Sequence, residues 1–288
     1  MKLLYPFAKR FIAGPDLETA LFAIRKIIQS GYFASIDILG ENVSSRLQAQ
    51  NATNEYLQLF TTLNELNHPF DISVKLSQLG LDLDQDICQK NLELLVNSSG
   101  PHTIRIDMED SFHTQSTLEV CAAVHQNHPK LGQAIQAYLF RSEKDILRCI
   151  DEGISVRLCK GAYNEPSHIA IQSMDEVRKR YLKLVYPLLK DGHQTAIATH
   201  DENLLVEILK FIESEKIHSD SFYFEMLYGV RRDLQKILQR KGFQVRIYVP
   251  YGKAWLPYTL RRLSEKKENL YFVVTHLFRE TLGLQKLH

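Results

Sequence analysis

The feature that most constrains this chain is a repeated alternation of short β-rich runs with longer segments of helical spacing. The runs are 32–39 (YFASIDIL), 71–77 (DISVKLS), 103–109 (TIRIDME), 132–139 (GQAIQAYL), 154–160 (ISVRLCK), 195–200 (TAIATH), 221–227 (SFYFEML) and 244–249 (QVRIYV). Between them lie segments such as 172–190 and 202–213, whose apolar residues recur at helix spacing. Eight strands alternating with helices over 288 residues is the count of an α/β (β/α)8 TIM-type barrel. A doubly wound open sheet is the competing arrangement, but it would need a nucleotide signature at its switch point. Neither G-x-G-x-x-G nor G-x-x-x-x-G-K-[ST] occurs. No linker or low-complexity run divides the chain, so residues 1–288 are expected to form one barrel domain with a short N-terminal helical extension.

Composition narrows the functional classes. A hydrophobic content of 44% supports a large core, and a formal charge of +1 argues against a nucleic-acid surface. Cys88, Cys121, Cys149 and Cys159 form no CxxC pair and no ligand spacing, which fits reduced thiols. The start, MKLLYPFAKRFIAG, has its apolar run broken by Pro6 and Lys9, too short for a signal peptide, and no segment approaches a membrane span. A soluble, cytoplasmic protein is expected. The run NLYFVVTHLFRETLGL (269–284) is amphipathic. It either packs on its own barrel or makes a peripheral contact at the inner face of the plasma membrane.

A barrel places its chemistry on side chains at the carboxyl ends of the strands. Those ends carry Lys75, Asp107 with Glu109, Gln136, Arg157 with Lys160, His200, Glu225, and Arg246 with Tyr248. Singly, each reads as a solvated edge residue; as a ring of mixed charge with aromatic members, they read as a ligand pocket. In RLCKGAY (157–163) the turn at Gly161–Ala162 would let backbone approach a flat ring or a phosphate. Lys160 could neutralise a diphosphate, or Lys75 or Lys160 could form a Schiff base. In ATHDENLL (198–205) Asp201 sits at a helix N-cap, with Thr199 and His200 just before a terminus that attracts phosphate.

The stretch QVRIYVPYGKAWLPYTLRRLSE (244–265) supplies a substrate handle. Val245, Ile247 and Val249 alternate with Arg246 and Tyr248. Pro250 and Gly252 then break the strand, and Pro257 falls where a new helix tolerates it. Leu256, Leu260 and Leu263 mark one face of that helix; Tyr258, Arg261, Arg262 and Glu265 mark the opposite face. Two adjacent guanidiniums suit a carboxylate better than lysines would. A small carboxylate-bearing substrate is expected.

SVKLSQLG (73–80), RIDME (105–109), QAYLFR (136–141), RLCKGAY, ATHDENLL, FEMLYG (224–229) and RIYVPYGKAWLPYTLRRLSE (246–265) together resemble the flavin-dependent proline dehydrogenase family, in its stand-alone microbial form. The resemblance covers nearly the whole chain from GPDLETAL (14–21) onward. It implies a distorted (β/α)8 barrel, FAD as cofactor, and oxidation of L-proline to 1-pyrroline-5-carboxylate. Electrons would pass to a membrane quinone, and a separate downstream aldehyde dehydrogenase would be a possible partner. By motif, Arg261 and Arg262 would pair with the proline carboxylate, Glu265 would brace one of them, and Lys75 would join the substrate side. Asp107 would order Lys75 or the flavin pocket, while Tyr248 and Tyr258 would wall the ring, Tyr248 crowding a ring hydroxyl. Gln136 and Arg157 would contact the isoalloxazine. Lys160, Gly161 and Ala162 would lie along the FAD chain, with Thr199 and His200 near its phosphates or adenosine. The family usually has Asn where Asp201 stands and Val where Cys159 stands. No histidine in these motifs is an obvious base for the substrate amine, which leaves solvent or desolvation to remove its proton. A Schiff-base lyase and a non-catalytic imino-acid sensor are the competing readings.

Overall fold

The computed structural model describes residues 8–264. Helix α1 (Leu17–Gln29) precedes β1 (Phe33–Ile38) as the N-terminal extension, its first turn closed by the Asp16 carboxylate on the Thr19 amide at 2.9 Å. There follow α2 (Arg46–Asn64), β2 (Asp71–Val74), α3 (Gln85–Ser98), β3 (Thr103–Ile106), α4 (Thr114–His125) and β4 (Leu131–Gln136). The second half holds α5 (Ser142–Asp151), β5 (Val156–Cys159), α6 (Met174–Asp191), β6 (Thr195–Ala198) and α7 (Glu202–Ser214). It ends with β7 (Phe222–Leu227), α8 (Arg232–Arg240), β8 (Val245–Tyr251) and α9 (Trp255–Ser264). The eight strands are parallel and close in sequence order, with β8 pairing β1 from Phe33↔Arg246 to Ile38↔Tyr251.

Strand parity separates the two sides of this sheet. Ile36, Ile72, Val74, Ile104, Ile106, Val156, Leu158, Ile197, Val245 and Ile247 face the helices and build the main core between sheet and helix ring. The inward positions are occupied instead by polar and small residues. Ser35 and Asp37 on β1, Asp71 and Ser73 on β2, Arg105 on β3 and Arg157 on β5 are all buried. A TIM barrel is ordinarily filled with branched apolar side chains. Here its interior is a network of charges that must satisfy one another.

Several strands stop earlier than their β-rich runs suggest. β2 and β3 end at Val74 and Ile106, so Lys75 and Asp107 are the first residues beyond them, where the chain turns over the barrel mouth. β8 departs in the other direction, since it continues through Pro250 to Tyr251 and does not break there. The β7 ladder reaches only to Leu227↔Tyr248, so beyond that point β8 has β1 alone as neighbour and Pro250 lacks no needed donor. Gly252, at φ +130°, then ends the strand.

One glycine makes room for the interior network. A Cβ on Gly132 would stand 2.8 Å from Arg105 Nη1 and 2.8 Å from the Ser155 carbonyl, which themselves bond at 3.0 Å. Gly132→Ala is expected to displace the Arg105 guanidinium and lower unfolding stability by about 1–3 kcal/mol. Urea denaturation should show a lower midpoint at unchanged slope; an unchanged midpoint would mean that the interior yields freely at this point.

Candidate active site

A cavity of about 690 Å³ opens over the carboxyl ends of the strands, and every candidate residue up to Tyr258 except Glu109 and Arg246 lines it. That volume lies within the usual range for small-molecule and cofactor sites. Arg261 and Arg262 lie on α9, three and four residues past Tyr258. Glu265 and the run 269–284 fall outside the described residues.

The floor of the cavity is built around Arg157. Its Nε and Nη2 donate to the two Glu225 oxygens at 2.6 and 3.0 Å. Nη1 reaches Asp107 at 2.6 Å and the Ser73 hydroxyl at 2.8 Å, and Nη2 also faces Asp71 at 3.4 Å. Burial alone would favour loss of its proton, but Glu225, Asp107 and Asp71 outweigh burial and hold the guanidinium firmly charged. Asp107 is the next node. It accepts from Lys75 Nζ at 3.3 Å and from the Tyr248 hydroxyl at 2.8 Å. Although burial pushes its pKa up, Lys75 and Arg157 pull it below its usual range.

Lys75 donates at 2.7 Å to Asp37, a buried carboxylate at the end of β1. Burial acts to lower the lysine pKa, but Asp37 and Asp107 raise it well above the ordinary value. Lys75 is therefore an ammonium, and a Schiff-base role for it is disfavoured because the nucleophile would have to be the neutral amine. For Asp37 the balance runs the other way: burial exceeds the pull of Lys75, leaving its pKa raised, so on acidification it takes up a proton before Asp107 does. The ring of Tyr248 lies 5.2 Å from the Arg157 guanidinium, so its hydroxyl and its face both serve this floor.

The other end of the cavity gathers cations at the start of α7. Lys160 Nζ and Arg178 Nε both bond Asp201 Oδ2, at 3.1 and 2.7 Å. Asp201 occupies the N-cap position as expected, yet its side chain makes no capping bond because those two cations occupy it. The Thr199 hydroxyl accepts from the Asp201 amide at 3.2 Å, and His200 Nε2 accepts from the Leu227 amide at 2.8 Å. A backbone amide can only donate, so the His200 proton resides on Nδ1. Gln136, fully buried, accepts from the Ala162 amide at 3.0 Å and donates to the Glu109 carbonyl at 2.9 Å, fixing the RLCKGAY turn against the barrel. Gly161, at φ +133°, is needed because a Cβ would strike the Tyr138 ring at 2.4 Å. The close approach that demands glycine is thus to an aromatic ring of the protein itself.

Other expectations are corrected. Arg246 belongs beneath the cavity: its Nη1 meets Asp71 at 3.3 Å and its guanidinium lies 4.4 Å from the Tyr223 ring. Glu109 does not face the cavity; its two oxygens take the amide and hydroxyl of Ser77. On α9 the position of Tyr258 agrees with the expectation that its face serves the cavity. Leu260 is 49% exposed while Tyr258 and Thr259 are buried, so the tyrosine face is the one turned to the barrel. The sequence reading passed over Asp37, Asp71, Arg105 and Arg178. The Ser35–Asp37 alternation in FASIDI was a usable signal for the first of these.

This geometry can be compared with known proteins. The family model described as proline dehydrogenase matches residues 20–275. The chain belongs to the proline dehydrogenase family. It is 33% identical over 275 residues to proline dehydrogenase 1 of Bacillus subtilis, covering 95% of this chain and 91% of that one. It is 32% identical over 283 residues to the proline dehydrogenase of Deinococcus radiodurans, covering 96% and 91%. Among solved structures, it is similar to proline utilization A from Bdellovibrio bacteriovorus inactivated by N-propargylglycine, with a TM-score of 0.86 and 25% identity. That match covers 93% of this chain and 33% of the larger protein, so the chain spans about a third of its length. The Bdellovibrio protein thus shares this barrel fold.

A buried histidine ties the mouth loops together. His113, at the start of α4, has Nδ1 at 2.6 Å from Asp110 and Nε2 at 2.6 Å from Asp82 in the loop after β2. Burial lowers its pKa, but the bonds to Asp82 and Asp110 outweigh burial and raise it. A raised histidine pKa contributes stability fully present below the unfolded value of about 6.5 and lost as pH rises through the higher folded value. The unfolding free energy of the wild type, read by urea denaturation, should therefore fall across that window by on the order of 1 kcal/mol given the half-exposed Asp110. His113→Gln should flatten the profile there; a variant retaining the wild-type slope would assign it to other groups.

Proposed function

We propose that the chain oxidises L-proline to 1-pyrroline-5-carboxylate with FAD and passes the electrons to a quinone. The observation that carries this reading is the cavity's division into two ends with different chemistry. One end pairs Lys160 and Arg178 on Asp201 beside the α7 N-terminus, a set of donors suited to a diphosphate. The other end is the Arg157–Asp107–Lys75–Tyr248 floor. The residues present fit a flavin dinucleotide, which when bound accepts a hydride from a ring carbon and hands electrons on.

The protein's part is to hold and orient. Arg261 and Arg262 are assigned to the substrate carboxylate, with Glu265 as brace for one of them. Lys75, kept charged between Asp37 and Asp107, adds a fixed cation on the same side. Tyr248 and Tyr258 are assigned to the ring wall; the bond from Tyr248 to Asp107 restricts the tyrosine to one pose, which favours an unhydroxylated ring. Gln136, through the Ala162 amide, keeps the RLCKGAY turn in place for the cofactor. Asp201 stands where the family usually has Asn, and its charge offsets the repulsion between Lys160 and Arg178 when no phosphate is bound. Among the described residues no helix is long and apolar enough to cross a membrane.

The test is direct. Purified protein should be yellow, acid precipitation should release the colour to the supernatant, and anaerobic L-proline should bleach it. Colour held in the pellet would contradict non-covalent binding, and a flavin that proline does not bleach would contradict the substrate.

A further inference from the structure

Among the described residues eight charged side chains enter the barrel, and the cavity divides them unevenly. Asp71, Arg105 and Arg246 lie beneath it, one carboxylate against two guanidiniums. Asp37, Lys75, Asp107, Arg157 and Glu225 line it, three carboxylates against two cations. The whole set is neutral, but its surplus negative charge faces the cavity and its surplus positive charge lies below.

Within the lining group the contacts run Asp37–Lys75–Asp107–Arg157–Glu225, alternating in sign with a carboxylate at each end. Glu225 takes two bonds from Arg157. Asp37 takes one bond from a lysine that it shares with Asp107, so it is the less compensated end. It faces Lys75 just beyond β2, Asp107 just beyond β3, Tyr248 and Tyr251 from β8 and Tyr56 from α2, and Lys75 is the one cation among these.

Resting on the reading of this site as a proline oxidase, we propose that Asp37 is the counter-charge for the positive nitrogen of the substrate ring. Starting from the neutral amine, the ring C–H bond breaks and both electrons leave as hydride to the flavin ring. The nitrogen lone pair forms the C=N bond, so the nitrogen becomes a cationic iminium, which then loses its N–H proton to solvent to give the imine. A fixed negative charge stabilises that cation as it forms. The same charge stabilises the bound ammonium that precedes the neutral amine, so one residue exerts two opposed effects. It speeds hydride loss from the neutral amine and raises the pKa at which that amine appears.

Asp37→Asn keeps the shape and an oxygen for Lys75 but removes the charge. Anaerobic stopped-flow reduction of the holoenzyme by proline, from about pH 6 to 10, reads both effects. The limiting rate at high pH should fall on the order of tenfold to thirtyfold, the scale of one charge acting through a partly polar interior. The pKa governing that rate should fall by about one unit, so the two enzymes converge at low pH. Affinity gives a readout independent of turnover: at neutral pH L-proline should bind about tenfold more weakly, while tetrahydrofuran-2-carboxylate, whose ring oxygen is uncharged, should bind nearly as before. Arg246→Met removes a cation from beneath the cavity without touching its wall. It should shift the same pKa upward by a smaller amount, which keeps the proposal testable if Asp37→Asn folds poorly. An unchanged plateau and pKa in both variants would overturn the proposal, as would equal loss of both ligands. Wild-type flavin that proline does not bleach would instead remove the parent reading, and this one with it.

Discussion

The arginine at the centre of the barrel is the contact on which the rest depends. Arg157 binds Glu225 and Asp107 directly, faces Asp71, and through Asp107 is joined to Lys75, Asp37 and Tyr248. Each of these groups would be costly to bury alone, since desolvation of a lone charge exceeds what a neutral neighbour returns. With Arg105 and Arg246 on Asp71 they are balanced, four carboxylates facing four cations inside the sheet. Removing one partner from such a network leaves an uncompensated charge and typically costs about 3–5 kcal/mol, far more than the same change on the surface. The barrel is thus filled by ion pairs where most barrels are filled by branched apolar side chains, and the upper part of that filling is the floor of the cavity.

This arrangement links stability to chemistry. The tyrosine and lysine assigned to the substrate are held by Asp107, which also holds Arg157, so their positions are set by pairing at the barrel mouth and not by loop conformation alone. The loops above are cross-braced in turn. Glu109 receives Ser77, Glu165 receives Ser111, and His113 bridges Asp82 and Asp110. A rigid floor with braced walls suits a reaction that depends on orienting a small ring against a flat cofactor.

Much of this was legible in the sequence because strand parity and strand ends carry it. The closed eight-stranded order, the convergence of Lys75, Asp107, Gln136, Arg157, Lys160 and Tyr248 on one mouth, and the α9 position of Arg261 and Arg262 follow from alternation and motif order. What escaped depends on depth and partner choice, which parity does not encode. Arg246 and Tyr248 share a parity, yet two residues of rise put Arg246 below the cavity beside Asp71. Asp201 has the residue type and position of a cap, but two nearby cations compete for its oxygens more strongly than an amide does.

The measurement that tests the central claim most directly is a double-mutant cycle on Arg157 and Glu225, read by equilibrium unfolding of Arg157→Met, Glu225→Leu and the pair. A network that carries the fold predicts that each single change costs about 3–5 kcal/mol, with the double change costing less than their sum by roughly 1.5 kcal/mol or more. Costs that add to within about 0.5 kcal/mol would show that the two side chains act independently, and would contradict the view that the barrel interior is held as one charge-balanced unit.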